Sequence, residues 1–304
     1  MEFVQPRSLD EALAVKAARP EAVPLAGGTD VMVELNFDRR RPPALLDLTH
    51  VAELRGWAEI DGRLRVGAGV TYADLTGERS GDGALPRRLP GLALAARTVG
   101  SPQIRNRGTI GGNLGSASPA GDCHPSLLAA GAQVEVASVR GVRLIAIDDF
   151  FTGVKRNSVA PDELISAVWI SPPAGPEQFA KIGTRNAMVI AVAAFGLALH
   201  PDRKAVGAGI GSAAPTPVRA GEAEEFLSRA LTDSGLWDSR LAPLPAPVLA
   251  EFGALVSGAA RPIDDVRGTA GYRRRSLAVL ARRTLTWAWQ EYCAGEQGGK
   301  AWSW

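Results

Sequence analysis

The sequence predicts an α+β protein built from more than one unit. Three observations predict it. The chain has 304 residues, too long for one small core. Hydrophobic residues make up 46% and charged residues 22%, the balance of an ordinary soluble globular chain. Strand-like and helix-like stretches also fall on either side of a Pro/Gly-rich break, Ser171-Pro172-Pro173-Ala174-Gly175-Pro176, which is the best linker position.

Residues 1–55 read as a small α/β lobe. Phe3-Val4 is a short strand. Ser8 caps a helix through Glu11, Leu13 and Val15, and Ser8 with Glu11 has capping-box spacing. Ala22 to Leu25 is a second strand, Ala26 to Asp30 a turn, Val31 to Phe37 a helix, and Ala44 to Asp47 a third strand. Strand, Gly-Gly turn and helix in succession are the parts of a phosphate-binding corner.

Residues 56–172 read as a second lobe, with strands at Leu64 to Val66, Val134 to Ala137, Leu144 to Ile147 and Leu164 to Ile170, around a helix rich in Ala and Leu. Thr98 to Ser116 is dense in Gly, Ser, Thr and Asn and reads as a binding loop. Residues 177–292 form a third unit. Gln178 to Gly183 and Ala187 to His200 pair as a hairpin, and Ala205 to Ile210 adds a strand. Pro215 to Ala220 is a turn-rich crossing. Helices follow at Gly221 to Ala230, Pro247 to Ser257 and Ala270 to Tyr292. Residues 293–304 form a polar, Gly-rich tail with two Trp, expected to be poorly ordered.

Several function classes are excluded at this level. Lys+Arg number 34 against Asp+Glu 32, so charge gives no reason to expect nucleic acid. No run is long and apolar enough to suggest a membrane span, and MEFVQPRSLDEA has no secretory signal character. Cys123 and Cys293 are the only cysteines and form no CxxC pair. The chain alone therefore offers no iron–sulfur or structural zinc set, and a cytoplasmic setting is the default. His50, His124 and His200 lack metal-ligand spacing. There is no GxxxxGK[ST], no GxGxxG after the first strand and no GxSxG.

The chemistry concentrates in Ala26-Gly27-Gly28-Thr29-Asp30 and Thr109-Ile110-Gly111-Gly112-Asn113. Each sets two adjacent glycines beside a hydroxyl and a short polar side chain. Glycine permits positive φ and close approach of backbone N–H groups to a bulky anion. Successive amides in such a turn form a nest for phosphate oxygens. Two such segments can grip a diphosphate from both sides. A tight turn is the plainer reading of either one taken singly.

These residues carry a resemblance to the FAD-binding medium subunits of the molybdenum hydroxylases, the xanthine and carbon monoxide dehydrogenase family. Pro24 to Asp30 resembles the family's first flavin loop, and Val99 to Leu114 its second. Ser116 to Asp122, Lys181 to Arg185 with Ile190-Ala191, and Asp265 to Arg274 are similar to later family stretches. The likeness runs over about residues 1–290. It implies a two-lobed FAD-binding domain of the vanillyl-alcohol-oxidase type, followed by a smaller α+β domain with a three-stranded antiparallel sheet plus helices. It implies that Leu25 to Asp30 and Thr109 to Asn113 hold the FAD diphosphate and adjoining ribityl. Asp122 matches an acidic contact in the flavin pocket, Ile165 (or its neighbour Leu164) an apolar residue near the isoalloxazine, and Lys181 a lysine near the flavin. No catalytic side chain and no metal ligand is implied in this chain. Molybdopterin and [2Fe-2S] clusters are expected only on partner chains, a large and a small subunit, with NAD or another acceptor taking the electrons. A stand-alone flavin oxidase of related fold and a flavin-free scaffold are the alternatives.

The stretch Asp122-Cys123-His124-Pro125 departs from the apolar or proline-rich family pattern. His124 there either modulates a flavin or simply starts a helix. Cys123 reads as a small packed residue. Arg97, Arg105 and Arg107 flank the second glycine segment and face phosphate, a partner or solvent. Arg273, Arg274, Arg275, Arg282 and Arg283 read as a solvated or subunit-facing stripe. Trp287 and Trp289 read as core filling, and Trp302 and Trp304 as interface candidates. Asp148-Asp149 and Glu224-Glu225 are sequence neighbours and make poor acid–base pairs.

Overall fold

The computed structural model describes residues 1–79, 81, 83–240 and 243–295. The first lobe is a three-stranded parallel sheet with Ala44–Asp47 in the centre, flanked by Glu2–Val4 and Val23–Leu25. Ala44, Leu45 and Leu46 are all buried, as a central parallel strand requires. The helix Leu9–Ala18 covers this sheet through Ala12 and Leu13. Ser8 accepts from the Glu11 amide, as the spacing predicts. The Glu11 carboxylate, however, takes the Arg7 amide, so the reciprocal half of the box is displaced by one residue.

The second lobe is a five-stranded antiparallel sheet. Its order is Trp57–Ile60, Arg63–Gly67, Leu164–Ile170, Gln133–Ser138, Gly141–Ala146. Leu64, Val66, Val134, Val136, Val168 and Ile170 pack one core with the helices Pro90–Arg97 and Cys123–Ala130. The central strand is thus the last to arrive in sequence. Trp57–Ile60 was not foreseen; its four residues are all exposed, so no apolar alternation marks it.

Thr98 to Ser116 is largely helical rather than an irregular loop. Ser101 caps Pro102–Arg105 and Thr109 caps Ile110–Ser116, each side chain accepting from the third amide onward. Gly100 turns between them and the preceding helix at φ +48°.

Beyond the break, the sheet holds four strands, not the expected three: Glu177–Ile182, Ala193–His200, Ala205–Gly211 and Val218–Arg219, all antiparallel. The fourth is only two residues, set inside the stretch read as a crossing; Arg219 pairs opposite Gly209 and Val218 opposite Ile210. The hairpin also opens earlier than expected. Residues 183–192 are not strand, and pairing resumes at Ala193 opposite Ile182. Helices Gly221–Asp233, Ala246–Ala259 and Ala270–Ala294 close a second core around Phe195, Phe252, Leu277, Leu285 and Trp289. The helix Cys123–Ala130 lies against the other face of this sheet. A Cβ on Gly207 would meet the Ala129 carbonyl at 1.9 Å, and one on Gly209 the Pro125 carbonyl at 2.2 Å. Glycines on the strand let a helix of the second lobe sit directly on the C-terminal sheet.

Arg273 leaves the expected surface stripe. It is 4% exposed and donates to the Val192 and Ser212 carbonyls and to Asp265. Trp289 is core, as expected, while Trp287 is exposed. The tail, apart from residues 293–295, lies outside the described residues, as do Trp302 and Trp304. Among the described residues no helix is long and apolar enough to cross a membrane.

Candidate functional site

A cleft of about 930 Å³ runs between the first and second lobes. Its size is within the range of small-molecule and cofactor sites. Both glycine segments line it: Ala26 to Asp30 from one side and Thr109, Gly111, Gly112 and Asn113 from the other. They also touch each other. A Cβ on Gly27 would lie 1.9 Å from the Arg107 carbonyl oxygen and 2.9 Å from the Gly108 nitrogen. Only a glycine permits this backbone-on-backbone contact.

The two segments differ in what they offer. Gly28 has φ +77°, in the left-handed region. The amides of Gly27, Gly28 and Thr29 donate to no acceptor among the described residues. They are half-buried, so the first segment presents open donors to the cleft. The second segment has spent four of its five amides, and only that of Thr109 has no acceptor among the described residues. Ile110 N–H goes to Val70, Gly111 N–H to Ala68, Gly112 N–H to the Thr109 hydroxyl and Asn113 N–H to the Thr109 carbonyl. The expected nest exists on one side only.

Gly111 and Gly112 do different work on that second side. A Cβ on Gly111 would meet Ala68 Cβ at 2.6 Å, so this glycine seats the helix Ile110–Ser116 on the second sheet. Gly112 and Gly115 are exposed on the cleft side of that helix and leave a face without side chains. Asn113 Oδ1 is buried with no hydrogen-bond partner and stands in the same wall. Open amides, a bare helix face and an unpaired acceptor fit a large polar dinucleotide with a flat ring. A buried acceptor of this kind is costly unless a ligand donor reaches it.

The remaining candidates separate into those at the cleft and those away from it. Ile165 lines the cleft, as does Leu164. Leu25 is half-buried behind the first turn, and Ile110 is fully buried in the core of the second lobe. Asp122 and Lys181 are not in the cleft wall but form a buried ion pair at 2.6 Å. Lys181 Nζ also donates to the Thr98 and Val189 carbonyls, tying the C-terminal sheet to the second lobe. Burial outweighs the ammonium and pushes the Asp122 carboxyl up to about 6. Asp122 Oδ1 has no partner.

His124 lies beneath the cleft wall rather than in it. It is fully buried, its Nε2 is 3.3 Å from the Asn113 carbonyl, and its ring packs on Phe151 at 4.6 Å. Burial lowers its pKa to about 4, so it does not titrate near neutrality. Cys123 is fully buried and its thiol pKa is raised by burial, which makes it a packing residue. Arg105 pairs with Glu78 and donates to the Arg97 and Val99 carbonyls, so it holds the helix Pro102–Arg105 in place. Arg107 alone of the three flanking arginines lines the cleft.

Sequence reasoning missed several cleft residues. Thr71, Tyr72 and Asp74 belong to a full capping box on the short helix Tyr72–Leu75, and its Thr-x-x-Asp spacing was legible. Arg55, Trp57 and Lys155 also line the cleft; all three are exposed, and neither a motif nor apolar alternation marks them.

Comparison with known proteins agrees with this architecture. Residues 1–173 match the model of the FAD-binding domain in molybdopterin dehydrogenase, and residues 178–288 that of the CO dehydrogenase flavoprotein C-terminal domain. The nicotine 6-hydroxylase medium subunit of Paenarthrobacter nicotinovorans is 32% identical over 292 residues, covering 93% of this chain and 95% of that protein. The xanthine dehydrogenase FAD-binding subunit of Escherichia coli O157:H7 is 36% identical over 234 residues, 73% of this chain and 77% of that one. A chain of reconstituted CO dehydrogenase from Oligotropha carboxidovorans superposes with a TM-score of 0.84 at 27% identity, over 96% of this chain and 98% of that chain. The chain therefore belongs to the FAD-binding medium subunits of the molybdenum hydroxylase family, components of oxidoreductases that carry FAD in a two-lobed domain.

Proposed function

We propose that this chain is the electron-exit subunit of a molybdenum hydroxylase. Electrons leave reduced [2Fe-2S] clusters on a small partner subunit, which a molybdopterin-bearing large subunit supplies. FAD, when bound, accepts electrons singly and releases them as a pair to NAD or another acceptor. The observation that carries this reading is the contact of Gly27 with Arg107–Gly108 beside open amides, in a cleft of cofactor size.

In this reading the amides of Gly27, Gly28 and Thr29 hold the FAD diphosphate, with Leu25, Ala26 and Asp30 setting the turn. Thr109 caps the helix whose bare face carries the ribityl, Ile110 and Gly111 seat that helix, and Asn113 accepts from a ligand hydroxyl. Ile165 and Leu164 give the apolar contact. Asp122 and Lys181 act at the inner end, where Asp122 keeps one free oxygen and Lys181 brings positive charge toward the flavin. The working division is residues 1–55 and 56–172 for the FAD domain and 177–292 for the C-terminal domain. A cytoplasmic site belongs to the same proposal, and the two unpaired cysteines support it.

Affinity purification of the full chain from its native host tests the proposal. The expected product is yellow, releases FAD on denaturation, and brings down a cysteine-rich chain and a molybdenum-containing chain. A yellow chain with no partners would favour a stand-alone flavin oxidase. A colourless chain that takes up no FAD would favour a scaffold.

A further inference from the structure

Tyr72 stands at the seam where the two glycine segments meet. Its amide donates to the Gly108 carbonyl at 3.0 Å, and Thr71 bridges to Thr109. Its ring lies against Gly108, where a Cβ would come within 2.7 Å of the ring carbon Cε2. The side chain is 4% exposed, and it lines the cleft.

The hydroxyl has no hydrogen-bond partner among the described residues, and it is not among the fully enclosed unpaired atoms. A buried tyrosine ordinarily finds a partner for its O–H. Tyr72 lines the cleft, from which a ligand can supply that partner. Asp30 on the first segment, with Asp122 and Cys123 at the head of the helix Cys123–Ala130, are its ionisable neighbours. Burial above all, and then Cys123, Asp122 and Asp30, raise the phenol pKa well above its ordinary value, so the group stays a donor.

We propose that Tyr72 is a ligand of the dinucleotide's diphosphate, its phenolic O–H donating to a phosphate oxygen between the two glycine segments. This rests on the reading that the cleft holds FAD. The first segment gives three successive open amides from one side, while on the second the amides of Ile110 to Asn113 are spent within the fold and, among the described residues, only that of Thr109 is left open. Tyr72 adds a donor to that poorer second side. A hydrogen bond to a charged group of this kind is worth about tenfold to a hundredfold in affinity.

The test is titration of the flavin-stripped full chain with FAD, comparing wild type with Tyr72→Phe, which keeps the ring and its packing. The thermal midpoint of each flavin-free chain is recorded alongside, and phosphorus NMR of the FAD-saturated chains reports the diphosphate. The proposal expects a Kd raised about tenfold or more, an unchanged midpoint and shifted diphosphate resonances. Equal affinity overturns it. Weaker binding with unmoved phosphorus signals, or with a lowered midpoint, also overturns it, since the hydroxyl would then act elsewhere or only in packing. Failure of the wild type to bind FAD would instead defeat the reading of the cleft itself.

Discussion

Gly27 and Gly112 separate two uses of glycine that a sequence writes with the same letter. A Cβ on Gly27 would enter the Arg107 carbonyl, so Gly27→Ala must push the two lobes' segments apart. The expected result is at least a tenfold loss of FAD affinity together with a destabilisation of about 1–3 kcal/mol, read from titration and denaturant melts. Gly112 faces the cleft from inside a helix, and the nearest atom to its Cβ would be Thr109 Oγ1 at 3.1 Å. Gly112→Ala is therefore expected to leave the flavin-free chain as stable or slightly more so, since alanine is favoured in helices by roughly 0.5–1 kcal/mol. It should still weaken FAD binding, because a methyl then occupies the bare face. A Gly112→Ala chain with full FAD affinity would remove that face from the site. The residue scale also marks the limit of the sequence reading. The motif showed where glycines cluster, but not that Gly27 and Gly111 serve packing while Gly28 serves conformation.

Between elements, the junction of the helix Pro90–Arg97 with the strand Glu177–Ile182 holds a buried carboxyl. Glu177 is 6% exposed and accepts the Gly91 amide at 3.0 Å. Among the described residues no cation is paired with it, and burial raises its pKa from 4.5 to about 7. The folded protein therefore holds a proton there that the unfolded chain gives up at lower pH. The stabilising contribution is full below about pH 4.5 and is lost as pH rises through about 7. At roughly 1.36 kcal/mol per pH unit, the loss is on the order of 3 kcal/mol. Glu177→Gln mimics the protonated acid, so it is expected to flatten this limb and to be more stable than wild type at pH 8. Melts of both chains from pH 5 to pH 8 measure it, and parallel curves would refute the assignment. Elements were legible where periodicity or caps marked them. Leu164–Ile170 and Ala44–Asp47 were read with their observed bounds. The helices after Ser101 and Thr109 were read as loop because the glycines around the first and within the second outweighed two N-caps and a proline at the first helical position. Val218–Arg219 was missed because two residues carry no pattern, and its pairing depends on Gly209 and Ile210 far back in the chain.

At the scale of the molecule, the three cores and the cleft follow from where helices and glycine-bearing strands meet. The break near Ser171 and the α+β arrangement were legible from the order of elements and from the Pro/Gly run. Long-range closures were not. Arg273 reads as one of several surface arginines until the loops carrying Val192, Ser212 and Asp265 fold around it. Asp122 and Lys181 were both named, yet their pairing across two units is a property of the fold. The account stands or falls on one dinucleotide lying in one cleft. A crystal structure of the full chain loaded with FAD tests that most directly. The diphosphate is expected within hydrogen-bond distance of the Gly27, Gly28 and Thr29 amides, with the ribityl along the helix face of Gly112 and Gly115. A diphosphate bound outside the cleft, with those amides left to water, would contradict it.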